Sequence, residues 1–180
     1  WEGFVANGST FISLLSMCVK WLDLSLGKQI HTQVINTGWD SDVCVATALV
    51  SMYGRCGDTN SAQKLFSDFD EKDLVIWNAM ITTYAQNRVA KNALLIYAQM
   101  HQEALLPNRV THVSVLQACA TDALSVQGKQ VHACIVKNVN IRSELVVENV
   151  LISMYGNCGQ IEYAQSIFEQ MNNKDVVSWS

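Results

Sequence analysis

The residues of this chain that could perform catalysis are its histidines, cysteines and carboxylates, and the most suggestive string is His101-Gln102-Glu103. It matches the H-x-E of zinc-dependent deaminases, in which the histidine binds zinc and the glutamate transfers protons. That motif needs a later P-C-x-x-C to supply two more zinc ligands, and the sequence contains none. We therefore predict that this segment is not an enzyme and has no catalytic residues, no metal and no other cofactor. We expect His101 to be a solvated residue near the end of a helix.

The six cysteines are also candidates for metal binding, but they include no C-x-x-C pair. Four of them form two pairs at equivalent positions of a repeated pattern, Cys18 with Cys119 and Cys56 with Cys158. We expect these four thiols to pack helix against helix as small apolar residues, in preference to disulfides or metal ligands. Thiols spread through a helical core indicate a reducing compartment. The five tryptophans are likewise expected to lie mostly in the core.

Composition places the chain among folded proteins of modest acidity. Hydrophobic residues make up 49% of the 180 residues and charged residues 16%, with a single proline. This is enough apolar material for a continuous core and argues against disorder. The formal net charge of −4 provides no bulk positive field to attract nucleic acid non-specifically. No window approaches the roughly 18 to 20 uncharged apolar residues of a membrane span, so we expect no membrane association.

The chain repeats itself at a long interval, and this is its strongest organising signal. The string SMYG-x-CG begins at Ser51 and again at Ser153, and GKQ followed by Ile or Val and then His begins at Gly27 and again at Gly128. The best-matched stretches share 15 identities in 35 positions, between residues 43–77 and 145–179. Self-similarity of this kind marks a repeat architecture. Repeat arrays usually bind their partners along an extended surface.

Apolar residues recur at helical spacing throughout, as in the segment that opens at Val43. One stripe of that segment is formed by Val45, Leu49, Val50, Met52 and Tyr53, which is the spacing of an amphipathic helix. Gly57 predicts the end of this helix, and a second helix is expected to carry Ala62, Leu65, Phe66 and Phe69. Each unit is therefore predicted to be a pair of antiparallel helices that buries its apolar face by stacking on its neighbours. The predicted fold class is all-α.

The recurring residues divide the chain into units of unequal length. Five complete units of 35, 31, 35, 36 and 31 residues are predicted, at 8–42, 43–73, 74–108, 109–144 and 145–175. Residues 1–7 are the expected tail of an earlier unit, and residues 176–180 are the expected start of a later one. The chain begins without methionine, shows no targeting peptide, and stops just after a unit has begun. We therefore expect it to be an internal fragment of a longer protein.

An alternation of about 35, 36 and 31 residues resembles the plant pentatricopeptide repeat family, in its PLS subclass. ALVSMYGRCGDTNSAQKLF resembles the family's short (S) unit, LLSMC with LGKQIH resembles its long (L) unit, and VIWNAMITTYAQN resembles its standard (P) unit. The resemblance assigns type L to 8–42 and 109–144, type S to 43–73 and 145–175, and type P to 74–108 and to both partial units, 1–7 and 176–180. It implies a right-handed α-solenoid of stacked antiparallel helix-turn-helix repeats. The tetratricopeptide type fits less well, because its tryptophan-leucine-glycine-tyrosine signature is absent.

Pentatricopeptide arrays bind single-stranded RNA, with one base for each repeat. The resemblance implies that the fifth and last residues of a unit contact the Watson–Crick edge of its base. The implied pairs are Thr47 with Asp73 for G, Asn78 with Asn108 for C in preference to U, and Asn149 with Asp175 for U. The two L units present Ile12 with Asp42 and Val113 with Glu144, and an apolar fifth residue donates nothing to a base. We expect these units to read weakly or not at all, so the implied preference over Val43–Asp175 is 5′-G-(C/U)-N-U-3′.

The second residue of each unit is implied to pack against the face of the base, and these residues are Cys44, Val75, Val110 and Val146. Cys44 departs from the usual aliphatic residue, which puts the strength of stacking in that unit in question. Asn and Asp at helix starts are also ordinary N-caps, so capping is the alternative role. Asn78 and Asn149 share one unit position, which favours base contact, whereas Asp42, Asp73 and Asp175 can serve both roles.

The resemblance implies an RNA-processing factor of the mitochondrion or chloroplast that selects sites for cytidine-to-uridine RNA editing. Chemistry would come from a C-terminal deaminase domain or a partner outside this segment, and the expected partners are single-stranded RNA and other RNA-editing factors. The alternative function is a protein–protein interaction scaffold of stacked helical hairpins. Acidic net charge and the apolar fifth residues of the L units favour this alternative slightly, whereas the recurring polar pairs favour RNA.

Overall fold

The computed structural model describes residues 6–137 and 144–179, and every regular element in these ranges is an α-helix. The predicted all-α class is confirmed. The helices are α1 (Gly8–Trp21), α2 (Leu24–Asn36), α3 (Val43–Arg55), α4 (Thr59–Asp68), α5 (Leu74–Gln86), α6 (Ala90–Gln102), α7 (Arg109–Thr121), α8 (Ser125–Lys137), α9 (Leu145–Asn157) and α10 (Ile161–Gln170). Within the described ranges, no helix has both the length and the apolar character needed to cross a membrane.

The chain folds as two compact units, residues 1–87 and 88–180. In the first unit, α1 pairs with α2 and α3 with α4, and α3 packs between α1 and α5. In the second unit, α7 pairs with α8 and α9 with α10, while α7 packs against both α6 and α9. In each unit the first helices of successive hairpins therefore pack on one another, and each second helix packs against the first helix that follows it.

Local sequence determines where the helices begin and end. The odd-numbered helices begin at the residues that open the five predicted units: Gly8, Val43, Leu74, Arg109 and Leu145. After α3 and α9 the chain turns at Gly57 and Gly159, whose φ angles of 83° and 69° lie in the left-handed region. Only glycine adopts that region without strain, which is why Cys-Gly ends both helices. The second helix of this hairpin, α4, was expected to include Phe69. It ends one residue earlier, at Asp68, and Phe69 is its C-cap.

The two repeated strings of the sequence pack against each other. A β-carbon added at Gly27 in α2 would lie less than 3.0 Å from the sulfur of Met52 in α3, and the same holds for Gly128 in α8 and Met154 in α9. The glycines therefore make room for the buried methionine side chains of the next hairpin. This contact joins the GKQ string of one hairpin to the SMYG string of the next, and it recurs in both compact units.

The histidines of the GKQ strings form interhelical hydrogen bonds. His31 Nδ1 lies 2.9 Å from Tyr53 Oη, and His132 Nδ1 lies 2.8 Å from Tyr155 Oη. Both ring pairs meet edge to face with centroids 5.6 Å apart. Burial lowers the pKa of both histidines. They are framework residues that join adjacent hairpins.

The repeated cysteines pack as predicted. Cys18 and its equivalent Cys119 are fully buried, and Cys56 and its equivalent Cys158 are half-buried. Burial raises the pKa of Cys119 to about 12, so its thiol stays protonated at neutral pH.

The prediction that the tryptophans lie mostly in the core is wrong. Of the tryptophans in the described ranges, only Trp77 is buried. Trp21 is 75% exposed at the end of α1, and Trp179 is 71% exposed where the described chain ends. Trp77 and Trp179 each meet a phenylalanine edge to face at 4.9 Å, Phe66 and Phe168 respectively. The two tryptophans share this contact, but other residues cover Trp77 and leave Trp179 exposed. Trp39 is half-buried, and Trp1 lies outside the described residues.

Candidate functional site

The predicted base-packing residues all expose apolar or thiol side chains at the start of a first helix. Val75, Val110 and Val146 are 58%, 46% and 51% exposed, and Cys44 is also exposed. Each is the second residue of its helix. Core packing does not account for an apolar residue that recurs at an exposed position. These four residues, which we call the second-position row, are therefore available for contact with a ligand.

The fifth residues lie one turn further along the same helices and are more enclosed. Ile12, Thr47, Val113 and Asn149 are half-buried, and Asn78 is buried at 8% exposure. The Thr47 hydroxyl oxygen is buried and has no hydrogen-bond partner among the described residues. A buried hydroxyl without a partner loses its hydration without compensation. A ligand that hydrogen-bonded Thr47 would remove this deficit.

Three of the predicted last residues cap the helix that follows them. Asp42 Oδ1 accepts from Val45 N at 2.9 Å, and Asp73 Oδ1 accepts from Val75 N and Ile76 N at 3.0 Å each. Asn108 Oδ1 accepts from Thr111 N at 3.1 Å. The capping role that was considered as the alternative is thus present. It does not exclude a base contact, since a capping carboxylate retains a second oxygen.

Asn149 and Asp175 form a predicted pair whose two members hydrogen-bond each other. Asn149 Nδ2 donates to Asp175 Oδ1 at 3.1 Å. Ser178 completes the cluster, since its backbone N–H and its hydroxyl both lie 2.9 Å from Asp175 Oδ1. The Ser178 hydroxyl also lies 2.7 Å from Asn149 Oδ1. The Ser178 backbone N–H, its hydroxyl and the Asn149 amide together lower the pKa of the Asp175 carboxyl. This carboxylate is therefore ionised at neutral pH and acts only as an acceptor.

The Thr47–Asp73 pair differs in this respect, because the Thr47 hydroxyl has no hydrogen-bond partner among the described residues. Asn78 lies in the first compact unit and Asn108 in the second. Asn108 forms a capping box with Thr111, whose hydroxyl lies 3.1 Å from both the backbone nitrogen and Oδ1 of Asn108. The amide oxygen of Asn108 is thereby committed to the helix start.

Glu144 is the exception among the last residues. Its side chain makes no capping hydrogen bond, and it pairs with Arg109, the first residue of the same predicted unit, at 3.1 Å. Glutamate is one methylene longer than aspartate and is a poor N-cap. The last residue of this unit is therefore engaged by an ion pair, and its fifth residue, Val113, has no polar group.

Sequence reasoning missed the residue that stands three places after the last residue of a unit. Thr10 and Thr111 occupy this place and donate to Oδ1 of Asn7 and Asn108. Ser178 occupies it after Asp175, in a turn, and its hydroxyl lies 2.9 Å from Asp175 Oδ1. The other last residues precede Val45, Ile76 and Val147, which have no hydroxyl. The signal was present, because Asn or Asp followed three residues later by Ser or Thr resembles a capping box.

Two family models match the chain. The one described as PPR repeat family matches residues 72–121, and the one described as PPR repeat matches residues 44–74 and 149–176. Together the matches cover more than half of the chain.

Relatives from Arabidopsis thaliana are similar over nearly all of the chain. Pentatricopeptide repeat-containing protein CRR2, chloroplastic, is 42% identical over 184 residues, which cover 99% of this chain and 28% of CRR2. A putative pentatricopeptide repeat-containing protein named as mitochondrial is 36% identical over 174 residues, which cover 97% of this chain and 28% of that protein. The chain spans about a quarter of the length of the curated relatives it matches.

Among solved structures, the fold is similar to that of the maize pentatricopeptide repeat protein PPR10, crystallised in complex with an 18-nucleotide psaJ RNA element. The TM-score is 0.81 at 16% sequence identity, over 99% of this chain and 27% of PPR10. A similarity at this identity establishes the fold and not the ligand.

Proposed function

Because the chain belongs to the pentatricopeptide repeat family, we propose that it binds single-stranded RNA along the starts of its odd-numbered helices. The observation that carries this proposal is the second-position row beside polar fifth and last residues. Exposed apolar side chains favour contact with the face of a base, and neighbouring amides and carboxylates can hydrogen-bond its edge. The complex of PPR10 with RNA supports the same ligand class for this fold.

We further propose that each predicted unit contacts one base. Uracil and guanine carry an N–H at the ring nitrogen of the Watson–Crick edge, whereas cytosine carries an acceptor there. A carboxylate that faces this ring nitrogen accepts from the first two and is repelled by cytosine, so Asp73 and Asp175 favour G and U. The amide of Asn108 can donate, which favours C in preference to U in the unit that begins at Leu74. The proposed preference over Val43–Asp175 is therefore 5′-G-(C/U)-N-U-3′.

The two units at 8–42 and 109–144 are proposed as weak readers or non-readers. Ile12 and Val113 offer no hydrogen bond to a base edge, and Glu144 is paired with Arg109. These units keep the spacing of the array. They correspond to the L type, and we propose the PLS alternation with the unit boundaries given above.

The proposed biological setting is a mitochondrion or chloroplast, where the protein selects sites for cytidine-to-uridine editing. Relatives named as chloroplastic and mitochondrial support an organelle without choosing between the two. The editing chemistry would be supplied by other parts of the protein or by other RNA-editing factors. Recognition is the role of this chain.

RNA titration of the purified protein tests this function. Fluorescence anisotropy would compare an RNA that carries 5′-GCNU-3′ with a scrambled RNA of the same composition. We expect tighter binding to the first, and Asn149→Ser should reduce the preference for U at the last nucleotide by roughly tenfold, since one side-chain contact to the base is lost. Asn60→Ser, on the exposed surface of α4, is the matched control and should change nothing.

Equal affinity for the two RNAs, together with no effect of Asn149→Ser, would overturn the proposal. The protein-interaction scaffold would then be the better explanation of the stacked hairpins.

A further inference from the structure

We propose that Ser178 is a third specificity-determining residue, which holds Asn149 and Asp175 in the orientation that distinguishes uracil from cytosine. The inference rests on the proposed function, because it concerns how one base-reading pair is positioned. Ser178 is the third residue of the following predicted unit and is not itself required to touch the base. It is a positioning residue.

The geometry places one hydroxyl against both members of the pair. Ser178 Oγ lies 2.7 Å from Asn149 Oδ1 and 2.9 Å from Asp175 Oδ1. A hydroxyl has a single proton to donate, and the backbone N–H of Ser178 already supplies Asp175 Oδ1 at 2.9 Å. The hydroxyl proton is therefore available to Asn149, at the shorter of the two distances. The Ser178 oxygen in turn accepts from Asp175 N at 3.1 Å.

This arrangement determines which way the Asn149 amide faces. An ionised carboxylate has no proton to donate, so the amide group that faces Asp175 must be Nδ2. Oδ1 then faces Ser178, which donates to it. Among the described residues, Ser178 is the only hydrogen-bond donor recorded on Asn149 Oδ1. Loss of the hydroxyl would leave this oxygen unpaired and would permit the amide to rotate.

The atoms that remain form a donor beside an acceptor. The Asn149 amide and the Ser178 N–H both donate to Asp175 Oδ1, and the Val177 N–H also donates to this carboxylate. The two oxygens of a carboxylate have about four acceptor sites, so Oδ2 can still accept from a base. Asn149 Nδ2 has a second N–H besides the one given to Asp175. Uracil presents a carbonyl next to an N–H and complements this pattern, whereas cytosine presents an acceptor where Oδ2 needs a donor. The discrimination therefore depends on the amide keeping its orientation.

The first compact unit contains a pair without this support. Asp73 is followed at the third position by Ile76, which is fully buried and apolar. Thr47 Oγ1 has no partner among the described residues, and Asp73 receives only backbone N–H groups. The hydroxyl at the third position thus separates a supported pair from an unsupported one. The Thr47–Asp73 pair serves as the internal reference for an experiment on Ser178.

The test compares Ser178→Ala and Ser178→Thr with the unaltered protein by RNA titration. Two ratios would be measured: affinity for U against C at the nucleotide assigned to Asn149 and Asp175, and for G against A at the nucleotide assigned to Thr47 and Asp73. Ser178→Ala should lower the first ratio about fivefold, which corresponds to one hydrogen bond, and leave the second unchanged. Ser178→Thr keeps the hydroxyl and should restore the first ratio. Ser166→Ala is the control, since that hydroxyl contacts Gln170 on the surface of α10.

The outcomes separate this inference from the function on which it rests. If the unaltered protein discriminates at neither nucleotide, the proposed function fails and the inference fails with it. If it discriminates U from C and Ser178→Ala keeps the full ratio, only the inference is overturned. A parallel fall of both ratios would indicate a general structural role and would also overturn it. Without RNA, the NMR-measured pKa of Asp175 should rise in Ser178→Ala, because an Asn149 amide that is free to rotate no longer keeps Nδ2 donating to the ionised carboxylate.

Discussion

The junction between α2 and α3 and the junction between α8 and α9 are built from the same two strings, yet their surroundings differ. In both, a glycine of the second helix lies against a methionine of the next hairpin. In both, a histidine is hydrogen-bonded to a tyrosine, at 2.9 and 2.8 Å. The repeated strings of the sequence therefore form the same helix–helix contact at two places. A side chain larger than glycine at these positions would require the methionine to move.

The differences lie at the edges of these junctions. Lys28 pairs with Asp58 at 3.2 Å in the first. In the second, Lys129 donates to Gln160 at 2.9 Å and lies 4.4 Å from the ring centre of Tyr163. The fifth residues also differ, since the Thr47 hydroxyl has no partner among the described residues and Asn149 is part of a hydrogen-bonded cluster. The helix–helix contacts are the same in the two junctions, while the residues around them differ.

Acid should distinguish the two compact units most strongly, because the second contains an additional buried histidine. Burial and the nearby His101 lower the pKa of His112 to about 4, whereas an unfolded histidine titrates near 6.5. Between these values the unfolded chain binds a proton that the folded chain excludes, so the free energy of unfolding falls as the pH is lowered. The loss should approach about 3 kcal/mol at pH 4. Urea unfolding at successive pH values would measure it.

The reference for this measurement is His112→Gln, which removes the titrating group and cancels the carboxylate contribution common to both proteins. The pH dependence of the variant should be flatter between pH 6.5 and pH 4. Identical slopes would mean that His112 becomes protonated without cost, and the asymmetry between the two units would disappear.

Two equivalent glycines of the SMYG strings provide the next test. A β-carbon at Gly54 would lie less than 3.0 Å from three side-chain atoms of Thr83, whereas a β-carbon at Gly156 would have nothing within 4 Å. Thr83 is 3% exposed and β-branched, so it has little freedom to move. Gly54→Ala should therefore destabilise the chain by about 1–3 kcal/mol. Gly156→Ala should stabilise it by about 0.5–1 kcal/mol through helix propensity.

Chemical unfolding of the two variants under one condition would give both values. Opposite signs are expected from the same substitution at the same position of the repeat. Two destabilisations of equal size would show that the glycine serves the helix itself and not its neighbour.

The sequence was sufficient for the framework but not for the side-chain cluster. Helical periodicity and the Cys-Gly endings predict the hairpins, because a 3.6-residue period and a left-handed glycine are local properties. The role of His31 could be inferred from its repetition at His132. The contact of Ser178 with Asn149 joins residues 29 positions apart, and a single serine carries no periodic signal. The exposure of Trp21 was missed for a related reason, since residue type predicts burial only when the covering elements are known.

The smallest expected effect is the loss of stability on replacing the lysines of the GKQ strings. Its dependence on salt should distinguish Lys28 from Lys129. Lys28 and Asp58 are 53% and 20% exposed at the side chain, so their ion pair should contribute less than about 1 kcal/mol. Lys28→Met keeps the aliphatic stem and should cost a few tenths of a kcal/mol at low salt, and almost nothing at 1 M, where the Debye length is about 3 Å. Lys129→Met should cost a similar amount at both salt concentrations, because the partners of Lys129 are a neutral amide and an aromatic ring. Denaturant unfolding of both variants at the two salt concentrations would measure these free energies. An equal salt response would mean that the two lysines make the same kind of contact.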